Sequence, residues 1–110
     1  RLFINFEKMR VRSTADIERI RARVEQVCAP LDRRVDVIVN YDGFRLDEEV
    51  AAGYAAMVAD LEDRYYGRVI RYSGSAFLRM KLGDTLRGAA PHLYETREQA
   101  QAFLDRERSA

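Results

Sequence analysis

Short apolar stretches alternate with longer amphipathic stretches along this chain, and the alternation predicts a repeated strand–helix unit. The apolar stretches cover residues 2–6, 35–39, 69–72 and 92–95. The second is a run of β-branched residues, which is typical of strands buried in parallel sheets. Between and after these stretches, apolar residues recur at spacings of three and four, which places them on one face of a helix.

The four predicted helices have capping residues at their starts. Ser13 or Thr14 is expected to cap the first helix and Asp47 the second, and Thr96 with Gln99 has the spacing of a capping box for the last. The side chains expected to face the core are Ile17, Ile20, Val24, Val27 and Leu31 in the first helix, Val50, Tyr54, Met57, Val58, Leu61 and Tyr65 in the second, Phe77, Leu78, Leu82 and Leu86 in the third, and Ala100, Phe103 and Leu104 in the last.

A strand that follows a helical crossover runs parallel to the strand before it, so we expect an α/β fold with a four-stranded parallel sheet. Right-handed crossovers and the need to cover both faces favour the strand order 2-1-3-4. This order puts the first and fourth helices on one face and the second and third on the other. It leaves the second and fourth strands as the edges of the sheet.

The predicted order reverses between the first and third strands, and open parallel sheets bind ligands at such a reversal. We therefore expect any ligand crevice where those strands end, near Glu7, Lys8, Tyr72, Ser73 and Ser75. Backbone N–H groups of residues 73–75 before a helix are suited to hold a phosphate or carboxylate, with Arg79 and Lys81 adding positive charge. Alternatively the serines cap the helix, which the lack of a P-loop Gly-Lys-Ser/Thr ending favours.

Other reactive side chains have simpler structural interpretations. Cys28 is expected to be a small buried thiol, and His92 a strand-entry residue, because no serine or cysteine nucleophile stands in a known motif near it. Residues 40–43 have the composition of a turn, and the acidic runs at 48–49 and 60–63 that of solvated helix faces. We expect no catalytic residue, no cofactor and no metal site.

Composition narrows the class of protein further. The 110 residues suit one domain, and 19 basic residues interspersed with 18 acidic ones argue against nucleic acid as a partner. One cysteine and one histidine, distant in sequence, form neither an internal disulfide nor a zinc site, which fits a reducing cytoplasm. No apolar stretch approaches membrane-spanning length and no signal peptide is visible. Because Arg1 leads directly into a strand, we expect a fragment of a longer chain.

Four segments together resemble the C-terminal domain of long bacterial acyl-CoA:acetate/3-ketoacid CoA-transferases of the propionate CoA-transferase type. These segments are residues 2–7, 34–44, 71–84 and 91–95. The similarity extends over nearly the whole chain. Lys8 and Asp32 depart from it, since each stands where the family pattern leads us to expect glycine.

The resemblance implies a fold and a role. In that family the acyl group passes through a glutamate of the catalytic domains, and nothing here matches that motif. The appended domain is similar to a STAS fold with four strands and without its first strand. A STAS phosphoswitch needs a serine or threonine within residues 40–50, and neither is present.

We therefore expect a non-catalytic accessory domain spanning residues 1–110, with a structural or interaction role. Its expected partners are the catalytic domains of the parent chain. A homo-oligomer is a further alternative. One alternative is a free-standing STAS-like regulator that binds a partner protein or small ligand. Another is a small enzyme in its own right.

Overall fold

The computed structural model describes residues 1–86 and 93–109, which form an α/β fold around a four-stranded parallel sheet. The sheet contains β1 (Leu2–Asn5), β3 (Val35–Asn40), β5 (Tyr66–Tyr72) and β6 (Leu93–Tyr94). A separate parallel pair is made by β2 (Arg10–Val11) and β4 (Arg45–Leu46). The helices are α1 (Thr14–Cys28), α2 (Ala51–Tyr65), α3 (Ala76–Thr85) and α4 (Arg97–Ser109), and a 3-10 turn at Glu48–Val50 leads into α2.

The strands lie in the order β1-β3-β5-β6, so strands that are neighbours in the sheet are joined by one helix in the chain. The parallel α/β architecture is confirmed, but the predicted order 2-1-3-4 is wrong. Each crossover moves the chain in the same direction across the sheet, so every new strand is added beyond the previous one. As a result β1 is an edge strand next to β3, whereas the predicted order placed the first strand inside the sheet.

The helices are divided unequally between the two faces. Val37 and Val39 of β3 share a buried cluster with residues of α1, α2 and α3, whereas Ile38 shares one with Ala100 and Leu104 of α4. Because side chains alternate across a strand, these two clusters lie on opposite faces. The predicted grouping of the helices is therefore wrong, because crossovers of one hand that all step the same way keep α1, α2 and α3 together.

Most of the expected core positions are buried, including Ile20 in α1 and Tyr54 in α2, and Cys28 is buried as expected. Three expected core residues are instead exposed: Val27, Leu31 and Phe77. Leu31 lies beyond the end of α1, and Val27 lies on the flank of α1 beside the open edge of the sheet. The side chain of Phe77 is 67% exposed, since α3 directs Leu82 inward from its other side.

Three of the four helices, α1, α3 and α4, are capped by the side chains that the sequence predicts. The Ser13 hydroxyl accepts from the N–H of Asp16, and Thr96 and Gln99 bond to each other's backbone as a capping box. The expected cap at Asp47 is wrong: its carboxylate pairs with Arg10 at 3.2 Å and makes no capping bond. His92 lies outside the described residues.

Candidate functional site

A chain of hydrogen bonds crosses the carboxyl ends of β1, β3 and β5, where the sequence predicts a crevice. The amide of Asn40 donates to Oδ1 of Asn5 at 3.1 Å, and the N–H of Asp42 donates to Oδ1 of Asn40 at 2.9 Å. The N–H of Gly74 then donates to Oδ1 of Asp42 at 2.6 Å. These bonds join the segments after the three strands to one another, so the polar groups at this edge stabilise the fold locally.

Ser73, Ser75 and Arg79 are brought together after β5. The Ser73 hydroxyl is buried and accepts from the N–H of Ser75 at 3.2 Å, and the Ser75 hydroxyl caps α3 by accepting from the N–H of Leu78 at 3.1 Å. Arg79 donates to the carbonyl of Ser73 at 2.7 Å. The interpretation of Ser75 as a helix cap is therefore confirmed. The N–H of Ser75, which an anion would use, is already bonded within the protein.

Glu7, Lys8 and Tyr72 lie at the same end of the sheet. Glu7 is exposed, and Lys8 has a positive φ of 59° while its N–H donates to the carbonyl of Asp42 at 2.8 Å. Tyr72 faces α4 and is buried. Burial raises the pKa of Tyr72, the nearby charge of Arg97 opposes this rise, and the carboxylates of Asp42, Glu98 and Glu7 add to it. The hydroxyl therefore stays protonated at neutral pH.

The strand order removes the topological reason for a crevice, because it contains no reversal between neighbouring strands. Ligand binding by Glu7, Tyr72, Ser73, Ser75 and Arg79 stays a prediction. In this part of the structure the described side chains do not assemble a nucleophile with a base and an orienting group.

A buried polar cluster that the sequence did not predict lies between the sheet and α2. The side chain of Arg71 is only 2% exposed and its Nη2 lies 2.7 Å from Oε1 of Glu62. The hydroxyls of Tyr41 and Tyr54 are 2.7 Å apart, and Tyr41 also interacts with Arg71. Burial raises the pKa of Tyr54 well above its ordinary value. A charged residue between Ile70 and Tyr72 is the signal in the sequence that could have revealed this cluster.

This cluster is closed to substrates. It borders a cavity of about 20 Å³, whereas ligand pockets usually have volumes of about 300–1,000 Å³. Although burial by itself lowers the pKa of Arg71, Tyr41 and Glu62 raise it overall, so Arg71 stays charged. We assign the cluster a structural role in fixing α2 against β5.

A much larger groove lies elsewhere in the described structure, between α1 and the open edge of β1. It has a volume of about 590 Å³. Most of its lining side chains are apolar: Leu2, Phe3, Ile4, Phe6, Met9, Ile20, Val24 and Val27. Its charged lining residues are Arg10, Asp16, Arg19 and Arg23. This groove was not predicted from the sequence, because it depends on β1 being an edge strand.

Neither a metal-ligand cluster nor a membrane-spanning helix is present among the described residues. Across 1–86 and 93–109, no three histidine, cysteine, aspartate or glutamate side chains are grouped so that they could hold a metal ion. No helix in that part of the chain combines the length and apolar character needed to cross a membrane.

Comparison with known proteins does not identify a family. No model of a known protein family matches the chain, and neither a curated protein nor a solved structure matches it.

Proposed function

We propose that this chain is a non-catalytic accessory domain of an acyl-CoA:acetate/3-ketoacid CoA-transferase, with a structural or interaction role. The proposal that the domain is non-catalytic is supported mainly by the hydrogen bonds at the carboxyl ends of the strands. There Asn5, Asn40 and Asp42 bond to one another and to Gly74. The family assignment is supported by the resemblance of four sequence segments, and we extend it to a STAS-like fold with cytoplasmic location.

An interaction role is supported by the apolar surface. Phe77 is exposed on α3, and Met80, three residues later, is exposed beside it on the same side of the helix. Large apolar side chains grouped at a surface often mark a contact with another protein. We propose that the catalytic domains of the parent chain cover part of this surface, with a second copy of the parent as a further partner.

The proposal is tested by comparing three proteins in one thioester-exchange assay between acyl-CoA and acetate: this chain, the parent chain, and the parent lacking this domain. We expect no exchange by the isolated chain and full exchange by the parent. The truncated parent should lose stability or change its oligomer size more than it loses turnover in the molecules that stay folded.

Exchange by the isolated chain would contradict this role, above all if Ser75→Ala or Glu7→Gln abolished it. Glu49→Gln is the matched control for Glu7→Gln, because Glu49 is exposed and was not assigned to the predicted crevice. A reading frame without several hundred CoA-transferase residues upstream would refute the family assignment.

A free-standing STAS-like regulator is the second candidate. It is favoured by the groove along β1, which is complete within this chain and needs no attached domain to form. A start codon directly before Arg1 would support this candidate. The absence of serine and threonine from residues 40–50 indicates that such a regulator would not work by phosphorylation at that junction.

A further inference from the structure

The edge of β1 offers backbone groups that the sheet does not use. The N–H of Phe6 donates to the carbonyl of Asn40 at 2.9 Å, which fixes the alternation of backbone groups along β1. In a parallel pair, alternate residues direct both N–H and C=O to the same side. Phe3 and Asn5 therefore direct theirs away from β3. Among the described strands, β1 pairs with β3 alone, so these groups lie along an open edge.

The groove beside this edge has the shape and surface that an added strand requires. Leu2 and Ile4 of β1 form its floor with Ile20 and Val24 of α1. Val27 is partly exposed at the flank of α1. Four residues of strand span about 13 Å, so β1 provides a short but sufficient template for a partner strand. The side chains of such a strand that face α1 should be apolar.

The charges around the groove indicate which charge a binding partner should have. Three arginines and one aspartate line the groove: Arg10, Arg19, Arg23 and Asp16. Arg19 pairs with Asp16 and Arg10 with Asp47, whereas Arg23 bonds to the uncharged amide of Gln26, so the groove keeps a net positive charge. On the opposite face of β1, the guanidinium of Arg97 lies 4.3 Å from the centre of the Phe3 ring. A partner strand therefore meets positive charge on both faces. A second copy of this chain would instead bring the same arginines close to one another, which is unfavourable.

We propose that β1 and α1 bind an extended acidic segment of a partner protein by strand addition. Apolar side chains at alternate positions occupy the groove, and acidic side chains at the remaining and flanking positions face the arginines. This inference rests on the interaction role proposed above but not on the CoA-transferase assignment.

The first experiment measures binding of a fluorescent, terminally blocked nonapeptide in which glutamates alternate with valines. We expect saturable binding that weakens with added salt, and at least tenfold weaker binding of the same peptide with lysine in place of glutamate. The double variant Arg19→Gln/Arg23→Gln should weaken binding about tenfold, or about 1.4 kcal/mol. Arg33→Gln/Arg106→Gln is the matched control, because both arginines are exposed and neither lines the groove.

The second experiment tests the backbone contacts. Alternate amides of the peptide can be N-methylated in two registers, at the odd-numbered or at the even-numbered residues. Only one register removes the N–H groups that face β1, so N-methylation should abolish binding in that register alone. This change leaves the protein untouched. Phe3→Pro removes an outward N–H without removing a bond to β3, since proline is tolerated at such an edge position. It should abolish binding, whereas Phe3→Ala, which keeps the N–H, should retain most of it.

Three results would overturn the proposal. They are no saturable binding at millimolar peptide, equal binding of the glutamate and lysine peptides, and unchanged binding after N-methylation in both registers. Concentration-dependent dimerisation that Phe3→Pro abolishes would assign the edge to a second copy instead. Peptide binding by a chain with no CoA-transferase upstream would refute the family assignment alone, so the two proposals fail separately.

Discussion

Replacing Glu62 with glutamine removes the charge that faces Arg71 while nearly keeping the size of the side chain. Arg71 is 2% exposed and the Glu62 side chain 19% exposed, so the two partners differ in their access to water. Glu62→Gln removes a carboxylate charge from beside a buried cation. Breaking a buried pair in this way costs about 3–5 kcal/mol. Because water partly reaches Glu62, we expect a loss of about 2–3 kcal/mol in the free energy of unfolding.

The opposite change should cost less. Arg71→Met removes the buried cation and leaves Glu62 where it can reorient toward water, so we expect a loss of about 1–2 kcal/mol. In the Arg71→Met background, Glu62→Gln should then cost almost nothing. The coupling energy of the double-mutant cycle is therefore expected to be about 2 kcal/mol.

Urea unfolding of the four proteins, followed by circular dichroism, measures these free energies at a common pH. Asp63→Asn is the control, because Asp63 is an exposed neighbour of Glu62. If Glu62→Gln cost the same in both backgrounds to within about 0.5 kcal/mol, the pair would not be coupled and our reasoning would be refuted.

Three further predictions concern the stability of this chain. Val37→Ala and Ile38→Ala should each lower the free energy of unfolding by about 1–4 kcal/mol, since both residues are buried. If urea unfolding showed a loss of only a few tenths of a kcal/mol at both positions, a central role for β3 would be contradicted. Lys8→Gly should raise the free energy of unfolding by about 0.5–1 kcal/mol, because φ at Lys8 is positive. An unchanged urea midpoint would show that the backbone at Lys8 is not strained. Hydrogen bonds from Arg21 and then Arg64 lower the pKa of Asp60, so its stabilising contribution is present above the unfolded value of about 3.9 and is lost as pH falls through the lower folded value. Between pH 7 and pH 2.5 the urea midpoint of Asp60→Asn should therefore fall less than that of the unchanged chain, and equal falls would argue against this pairing.

Features that depend on neighbouring residues could be predicted from the sequence. The apolar stretch of β3 and the capping box of Thr96 and Gln99 are both present. Their signals act over a few residues, so the rest of the chain does not need to be known. The glycine expected at Lys8 has a physical explanation as well, since the positive φ there is a conformation that glycine adopts without strain.

Features that depend on how the elements assemble could not be predicted. Handedness restricts each crossover but does not decide whether the second strand lies on one side of the first or the other. The wrong choice placed β1 inside the sheet, and the open edge and its groove were lost with it. The burial of Arg71 has a similar origin, because its environment is formed by Glu62 and Tyr41, which are distant in sequence.

The side-by-side order of β1, β3, β5 and β6 also has a consequence for synthesis on the ribosome. Each new strand can pair with the one made just before it, so three helices and most of the sheet can assemble while the chain is still growing. The face formed by Ile38, Ile70 and Tyr72 has to wait for α4, which is made last of the four helices. Until α4 emerges, this apolar surface is open to aggregation and to chaperones, and the docking of Ala100 and Leu104 ends that exposure.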